Sequence, residues 1–277
     1  MTSMTRKLIV SADDLGLHED INRGVLQGHD EGIVTSASIV ACGRAFDHAC
    51  RLVEKRPNID LGVHLALVEE QPLLGPEVLK TLAPKRELPR TYRQLFLGLV
   101  KGRIDPREIE LELGAQIQRV LDAGLSVSHL DSHQHTHFFP QLRGIVLRLA
   151  ERYHIRGVRA GRRVVPSRTK FSLLLAPLSR GLHRAARTRG LAMPDSLWLT
   201  SPSGRVTVRD FVQGIPTLPE GITEVVVHPG VDQRALDRQY PAWGFKWQQE
   251  LGAVVATDVR DALNHHKVQL TRYSEIE

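Results

Sequence analysis

Short β-branched or apolar runs alternate with segments of helical period along the whole chain, and that alternation leaves few architectures open. Residues 7–11, 33–40, 59–65, 126–131, 155–159, 222–227 and 267–271 read as about seven strands. Between them, residues 19–30, 45–55, 106–123, 142–153 and 259–265 carry apolar side chains at three- and four-residue spacing, and Gly32 and Gly124 stand where helices should end. Strands separated by helices predict a parallel sheet with right-handed crossovers. Over 277 residues this predicts an α/β fold, a single domain spanning 1–277 built as a (β/α) barrel-like sheet, with an open doubly wound sheet as the alternative. The glycine-rich dinucleotide fingerprint is missing after the first strand. Ser11-Ala12-Asp13-Asp14-Leu15-Gly16 instead puts two carboxylates where a pyrophosphate would approach, which argues against nucleotide binding there. Two stretches break the rhythm, 68–90 and a long basic insertion at about 162–203, and loops of that length cap active sites or bind partners.

Charge is distributed unevenly. The chain carries 37 Lys and Arg against 31 Asp and Glu, yet ten of the basic residues and no acidic one fall between Ile155 and Leu191, so the remainder is net acidic. A nucleic-acid coat would not be acidic outside one segment, so no nucleic-acid partner is expected, whereas a local anionic partner stays open. From Pro177, read as the first residue of a helix, Arg180, Arg184 and Arg187 form one stripe beside Leu178, Leu182 and Ala185. A basic amphipathic helix of this kind can lie on an anionic membrane, which makes 162–189 a candidate membrane-facing segment, with a solvated helix face as the plain alternative. Cys42 and Cys50, the two cysteines, are too few for a disulfide scaffold and point to a reduced compartment. Residues 1–15 hold no signal-like apolar region and no apolar run of about 18 residues occurs, so the expected location is cytoplasmic, at most peripheral to the inner membrane face.

Polar clusters fall at the carboxyl ends of the expected strands: Asp13 and Asp14 after the first, His64 ending the third, and His129, Asp131, His133, His135 and His137 around the fourth. A parallel barrel gathers those ends on one face. Two imidazoles and a carboxylate from different strands can hold a divalent metal with open positions, while a second, adjacent carboxylate is free to accept a proton from water. Four imidazoles around the fourth strand exceed the needs of one metal, so some must orient or contact substrate. A further strand ends in His228-Pro229-Gly230, whose tight turn holds an imidazole at the strand end, suited to protonating a departing amine.

The segment 11–16, the Leu61-Gly62-Val63-His64-Leu65 strand, the Asp131-Ser132-His133-Gln134-His135 motif and the His228 turn, in that order and spacing, resemble the YdjC-like carbohydrate deacetylases over almost the whole chain. Residues 67–73 and the basic segment are similar to the branch associated with hopanoid glycolipid biosynthesis. Carried over by position, the resemblance implies Asp13 as general base, His228 as general acid, Asp14, His64 and His133 as ligands of one divalent metal ion, Mg2+ or Zn2+, and His135 and Asp131 next to substrate. Gln134 stands where many relatives have the middle of three histidines. Residues 158–162 lack the Pro-Arg-Glu that many relatives carry, so Arg159 receives no role.

The activity implied is metal-dependent removal of the N-acetyl group from an N-acetylated amino sugar, either lipid-linked, as in an N-acetylglucosaminyl hopanoid, or a chitooligosaccharide. The relatives also suggest a homodimer. Two alternatives share the same residues: a metal-dependent hydrolase of another amide or a phosphoester on the same fold, and a non-catalytic protein that binds metal and lipid.

Overall fold

The computed structural model describes residues 5–165, 170–199 and 203–276. Among them run nine strands: β1 (Arg6–Leu15), β2 (Ser36–Ile39), β3 (Asp60–Leu65), β4 (His129–Ser132), β5 (Gly157–Val158), β6 (Arg163–Val165), β7 (Ser196–Trp198), β8 (Gly221–Val227) and β9 (Val268–Leu270). Every pairing is parallel, in the order β5-β4-β3-β2-β1-β8-β7-β6, with β9 on β1. The parallel α/β architecture is as expected. β6 and β7 are additional, three residues each inside the basic segment, too short to show an alternating pattern.

β1 is the spine. Its residues Leu8, Ile9, Val10, Ala12 and Leu15 are fully buried, as they must be in a strand covered on both faces. β8 follows one edge from Arg6 to Ala12, while the other edge is shared: β9 pairs Arg6–Leu8 and β2 takes over from Ser11. A backbone bridge ties β5 to the segment that leads into β7: Gly157 pairs with Ala192, where Val158 N donates to Ala192 O at 3.0 Å and Ala192 N to Arg156 O at 2.7 Å. All strands therefore deliver their carboxyl ends to one rim.

Helices α1 (Glu19–Asp30), α2 (Phe46–Val53), α3 (Tyr92–Val100), α4 (Pro106–Asp122), α5 (Pro140–Arg152), α6 (Lys170–Arg187), α7 (Val208–Gly214), α8 (Gln233–Gln239), α9 (Trp247–Val255) and α10 (Thr257–His265) connect them. α4 begins as its sequence predicts, with the Asp105 side chain accepting from Arg107 N and Pro106 in the first turn, and Gly124 just beyond its end has φ +77°. One expectation needs correcting. Pro177 lies inside α6, seven residues past its start at Lys170, because it sits on the exposed side, where the carbonyl it leaves unbonded can reach water. Arg168 of the basic segment lies outside the described residues. No described helix is long and apolar enough to cross a membrane.

Candidate active site

β1 ends in a distortion that serves the site. Its register against β2 shifts between Ala12 and Leu15, and Asp14 has φ +68°, a conformation an L side chain adopts at a cost of about 1–2 kcal/mol. In a regular strand Asp13 and Asp14 would face opposite sides. The break lets both carboxylates line one cavity of about 350 Å³ at the strand ends. Its floor also carries His64 from β3, His133 from the turn after β4 and His228 from the end of β8, and Tyr92, Leu199, Trp243 and Phe245 form apolar walls. Close packing holds the His228 turn: a Cβ on Gly24 of α1 would fall 2.5 Å from Gly230 Cα, so only glycine lets helix and turn touch.

Asp14, His64 and His133 converge. Asp14 Oδ1 lies 3.5 Å from His64 Nε2 and 3.2 Å from His133 Nδ1, and all three groups are buried. The other nitrogen of each ring is backed by a carboxylate: His64 Nδ1 lies 2.8 Å from Asp131 Oδ1 and 3.1 Å from Ser38 Oγ, and His133 Nε2 lies 3.0 Å from Glu69 Oε2. An imidazole whose outer nitrogen donates to a carboxylate presents the lone pair of its inner nitrogen, as metal-binding histidines do. Two nitrogens and one oxygen aimed at a common point form a donor set that could hold a divalent ion. Without one, the set balances itself by a proton. Burial pulls the His133 pKa down, but its bonds to Asp14 and Glu69 outweigh this and hold it up at about 10. Burial raises that of Asp14, and the bond and charge of His133, with His64 and His228 nearby, bring it down to about 2.

Asp13 faces a different partner. Arg159, just past β5 and fully buried, places Nη1 2.7 Å from Asp13 Oδ2 and Nη2 2.7 Å from Asp13 Oδ1, a bidentate clamp. The same guanidinium lies 2.7 Å from Asp131 Oδ2 and donates through Nε to Glu224 Oε1 at 2.9 Å. Burial pushes Glu224 up to about 7 against the pull of Arg159, and Tyr273 donates its hydroxyl to the other Glu224 oxygen at 2.6 Å. His228 is backed by Glu250 of α9. That carboxylate accepts from the backbone N–H groups of His228 and Val206 and lies 3.4 Å from His228 Nδ1. Burial lowers the His228 pKa, and Glu250 more than compensates, so the imidazole is held above its ordinary value.

The four imidazoles around β4 divide by position. His133 joins the donor set. His135 lines the cavity; both it and Gln134 have φ +53°, a left-handed pair that swings the turn over the site. His129 stacks on Tyr273 at 3.8 Å and His137 is bonded to Ser132 Oγ and Arg159 O, both wholly internal, with burial lowering them to about 4 and about 3. Asp131, expected beside substrate, is instead fully buried behind His64 and Arg159 and takes no part in the cavity wall. Asp131 is the third of the four residues of β4, two positions before the turn that begins at His133, and its side chain stays inside the sheet rather than above it. Arg159, Glu69, Glu250, Trp243 and Phe245 had no motif to announce them. For Arg159 the one available signal was the excess of carboxylates at strand ends, which a buried site must neutralise.

The chain matches the family described as "YdjC-like protein" over residues 7–265. It is 29% identical over 272 residues, 98% of this chain and 99% of the relative, to a protein of Brevibacillus brevis named carbohydrate deacetylase. To another so named from Geobacillus stearothermophilus it is 38% identical over 161 residues, 57% of this chain and 62% of that protein's length. A solved structure from Enterococcus faecalis V583, provisionally described as a cellobiose-phosphate cleavage protein, shares the fold at a TM-score of 0.81 with 22% identity over 98% of each chain. From the match along nearly its full length, the chain belongs to the YdjC-like protein family.

Proposed function

We propose that the chain removes the acetyl group of an N-acetylated amino sugar by metal-assisted hydrolysis. The observation that carries this is the meeting of the Asp14, His64 and His133 donors with a second carboxylate, Asp13, in one cavity. The relatives named carbohydrate deacetylase support it. A divalent ion on those three donors would polarise the acetyl carbonyl and acidify a water, and the two nitrogens favour Zn2+ over Mg2+. Asp13 then takes the water's proton. The Arg159 fork engages one lone pair on each Asp13 oxygen and Ser38 Oγ a second on Oδ1, which leaves Oδ2 the free pair for the water. His228, made more basic by Glu250, gives a proton to the departing amine. His135 and the Trp243 face hold the sugar ring, and Asp131 orients His64 instead of touching substrate.

We also propose that 1–277 acts as one deacetylase domain in the cytoplasm, as a homodimer, and that α6 brings it to lipid-linked substrate. Leu173 and Leu174 in its first turns are 67% and 62% exposed, and Arg180, Arg184 and Arg187 are exposed further along. The test is acetate release from N-acetylglucosamine, a chitobiose and an N-acetylglucosaminyl glycolipid in anionic vesicles, with metal supplied. Release from none of them rejects deacetylation, and phosphate release or ring opening in a parallel screen would replace it. The triple change Arg180→Glu, Arg184→Glu, Arg187→Glu should weaken vesicle binding by at least about 150-fold, the loss of three attractive charges at about 1 kcal/mol each. Equal loss on soluble sugar would reject membrane recruitment.

A further inference from the structure

The two imidazoles of the donor set are backed unequally. Asp131, behind His64, is fully buried in the sheet and also faces Arg159. Glu69, behind His133, belongs to no strand or helix. It lies in the loop after β3, its side chain is 26% exposed, and it borders both the catalytic cavity and a neighbouring one of about 390 Å³. Its backbone has φ +67°, a conformation that costs a glutamate about 1–2 kcal/mol and persists only when the surroundings enforce it. Here they do: Glu69 N donates to Pro89 O at 3.0 Å, closing the loop 68–90 at its base. The same carboxylate oxygen that meets His133 Nε2 accepts from Gln134 Nε2 at 2.9 Å, and Gln134 Oε1 accepts from Tyr92 N at 3.3 Å where α3 begins.

We propose that Glu69 is a positioning residue for the metal site, a latch that turns the His133 ring so that Nδ1 faces Asp14 and ties that orientation to the loop 68–90. By accepting the Nε2 proton, Glu69 fixes the tautomer whose free lone pair is on Nδ1. Gln134 suits the link because one amide can donate to Glu69 and accept from Tyr92 at once, which joins the metal site to the cavity wall. Loop, turn and α3 thereby form one unit with the ligand.

This inference rests on the assignment of Asp14, His64 and His133 as ligands, and the test separates the two. Zn2+ affinity is measured by competition with a chelating dye, and Co2+ is added to read ligand geometry from its visible absorption. Glu69→Gln, which keeps shape but not charge, should weaken Zn2+ binding about tenfold, and Glu69→Ala about a hundredfold, the span usual for partners of metal-bound histidines. Both should alter the Co2+ spectrum. Glu87→Gln, exposed in the same loop, should change neither. Thermal unfolding in chelator reports whether each variant folds, and Glu69→Gln decides if Glu69→Ala does not. Wild-type affinity and spectrum in both Glu69 variants, with His64→Ala stripped of metal, overturn the latch alone. If His64→Ala keeps its metal, the ligand assignment falls and the latch with it.

Discussion

Two carboxylate clusters share His64 at the strand ends, and they are balanced in opposite ways. In the deeper one, Asp13, Asp131 and Glu224 surround the Arg159 guanidinium, so the cation is covalently part of the protein. In the upper one, Asp14 meets only imidazoles, and its counter-charge is a proton that His133 holds up to a pKa of about 10. Asp13, His64 and Asp131 also stand close enough to form a metal-like group, yet the guanidinium already occupies that role. The contrast teaches which set is open to a metal: the one whose positive charge can leave.

The largest effect should come from removing the resident cation. Arg159→Met leaves three buried carboxylates without their shared cation and should cost about 3–5 kcal/mol of stability, read by denaturant unfolding, while Arg159→Lys should fall between it and wild type. An Arg159→Met protein as stable as wild type would mean the deep cluster takes its charge balance elsewhere.

Next, Asp13→Asn should lower turnover by about a hundredfold or more while Zn2+ affinity stays within a few-fold of wild type, since this carboxylate faces Arg159 rather than the donor set. Loss of the metal in this variant would merge the two clusters into one site.

The smallest effect sharpens the upper cluster. His133 must release its proton before an ion can bind, and its metal-free pKa of about 10 is above the unfolded value of 6.5, so the proton is bound throughout the neutral range. Zn2+ affinity should therefore rise with pH by about tenfold per unit between about pH 6 and 8. The same shift favours the metal-free fold below pH 6.5, an advantage lost as pH climbs through about 10. A flat profile in calorimetric titrations would show that no proton leaves.

Much of this was legible in the chain. The β1, β3 and β8 patterns, α1 from Glu19 to Asp30 and the polar residues at strand ends all follow from periodicity and parallel topology. α3 was not visible because its outward side chains, Phe96, Leu97 and Val100, are as apolar as its inward Leu95, which erases the helical period. β6 and β7 were hidden by brevity, and Pro177 suggested a helix start because its exposure cannot be read from sequence. Asp131 and Glu69 show a further limit. Each lies beside a histidine distant in sequence, separations of 67 and 64 residues, and the role of either carboxylate depends on which ring nitrogen it meets.

The Gly157–Ala192 bridge, between β5 and the segment that leads into β7, has a dynamic consequence. It consists of two backbone hydrogen bonds beside the shortest strand, so local opening should be easiest along this seam. Arg159 begins one residue beyond the seam, whereas Asp14, His64 and His133 hang from β1, β3 and β4 on the continuous side. Breathing at the seam would loosen the grip on Asp13 and leave the three donors in place. The proton acceptor and the metal cradle can thus fluctuate on separate clocks within a single rim.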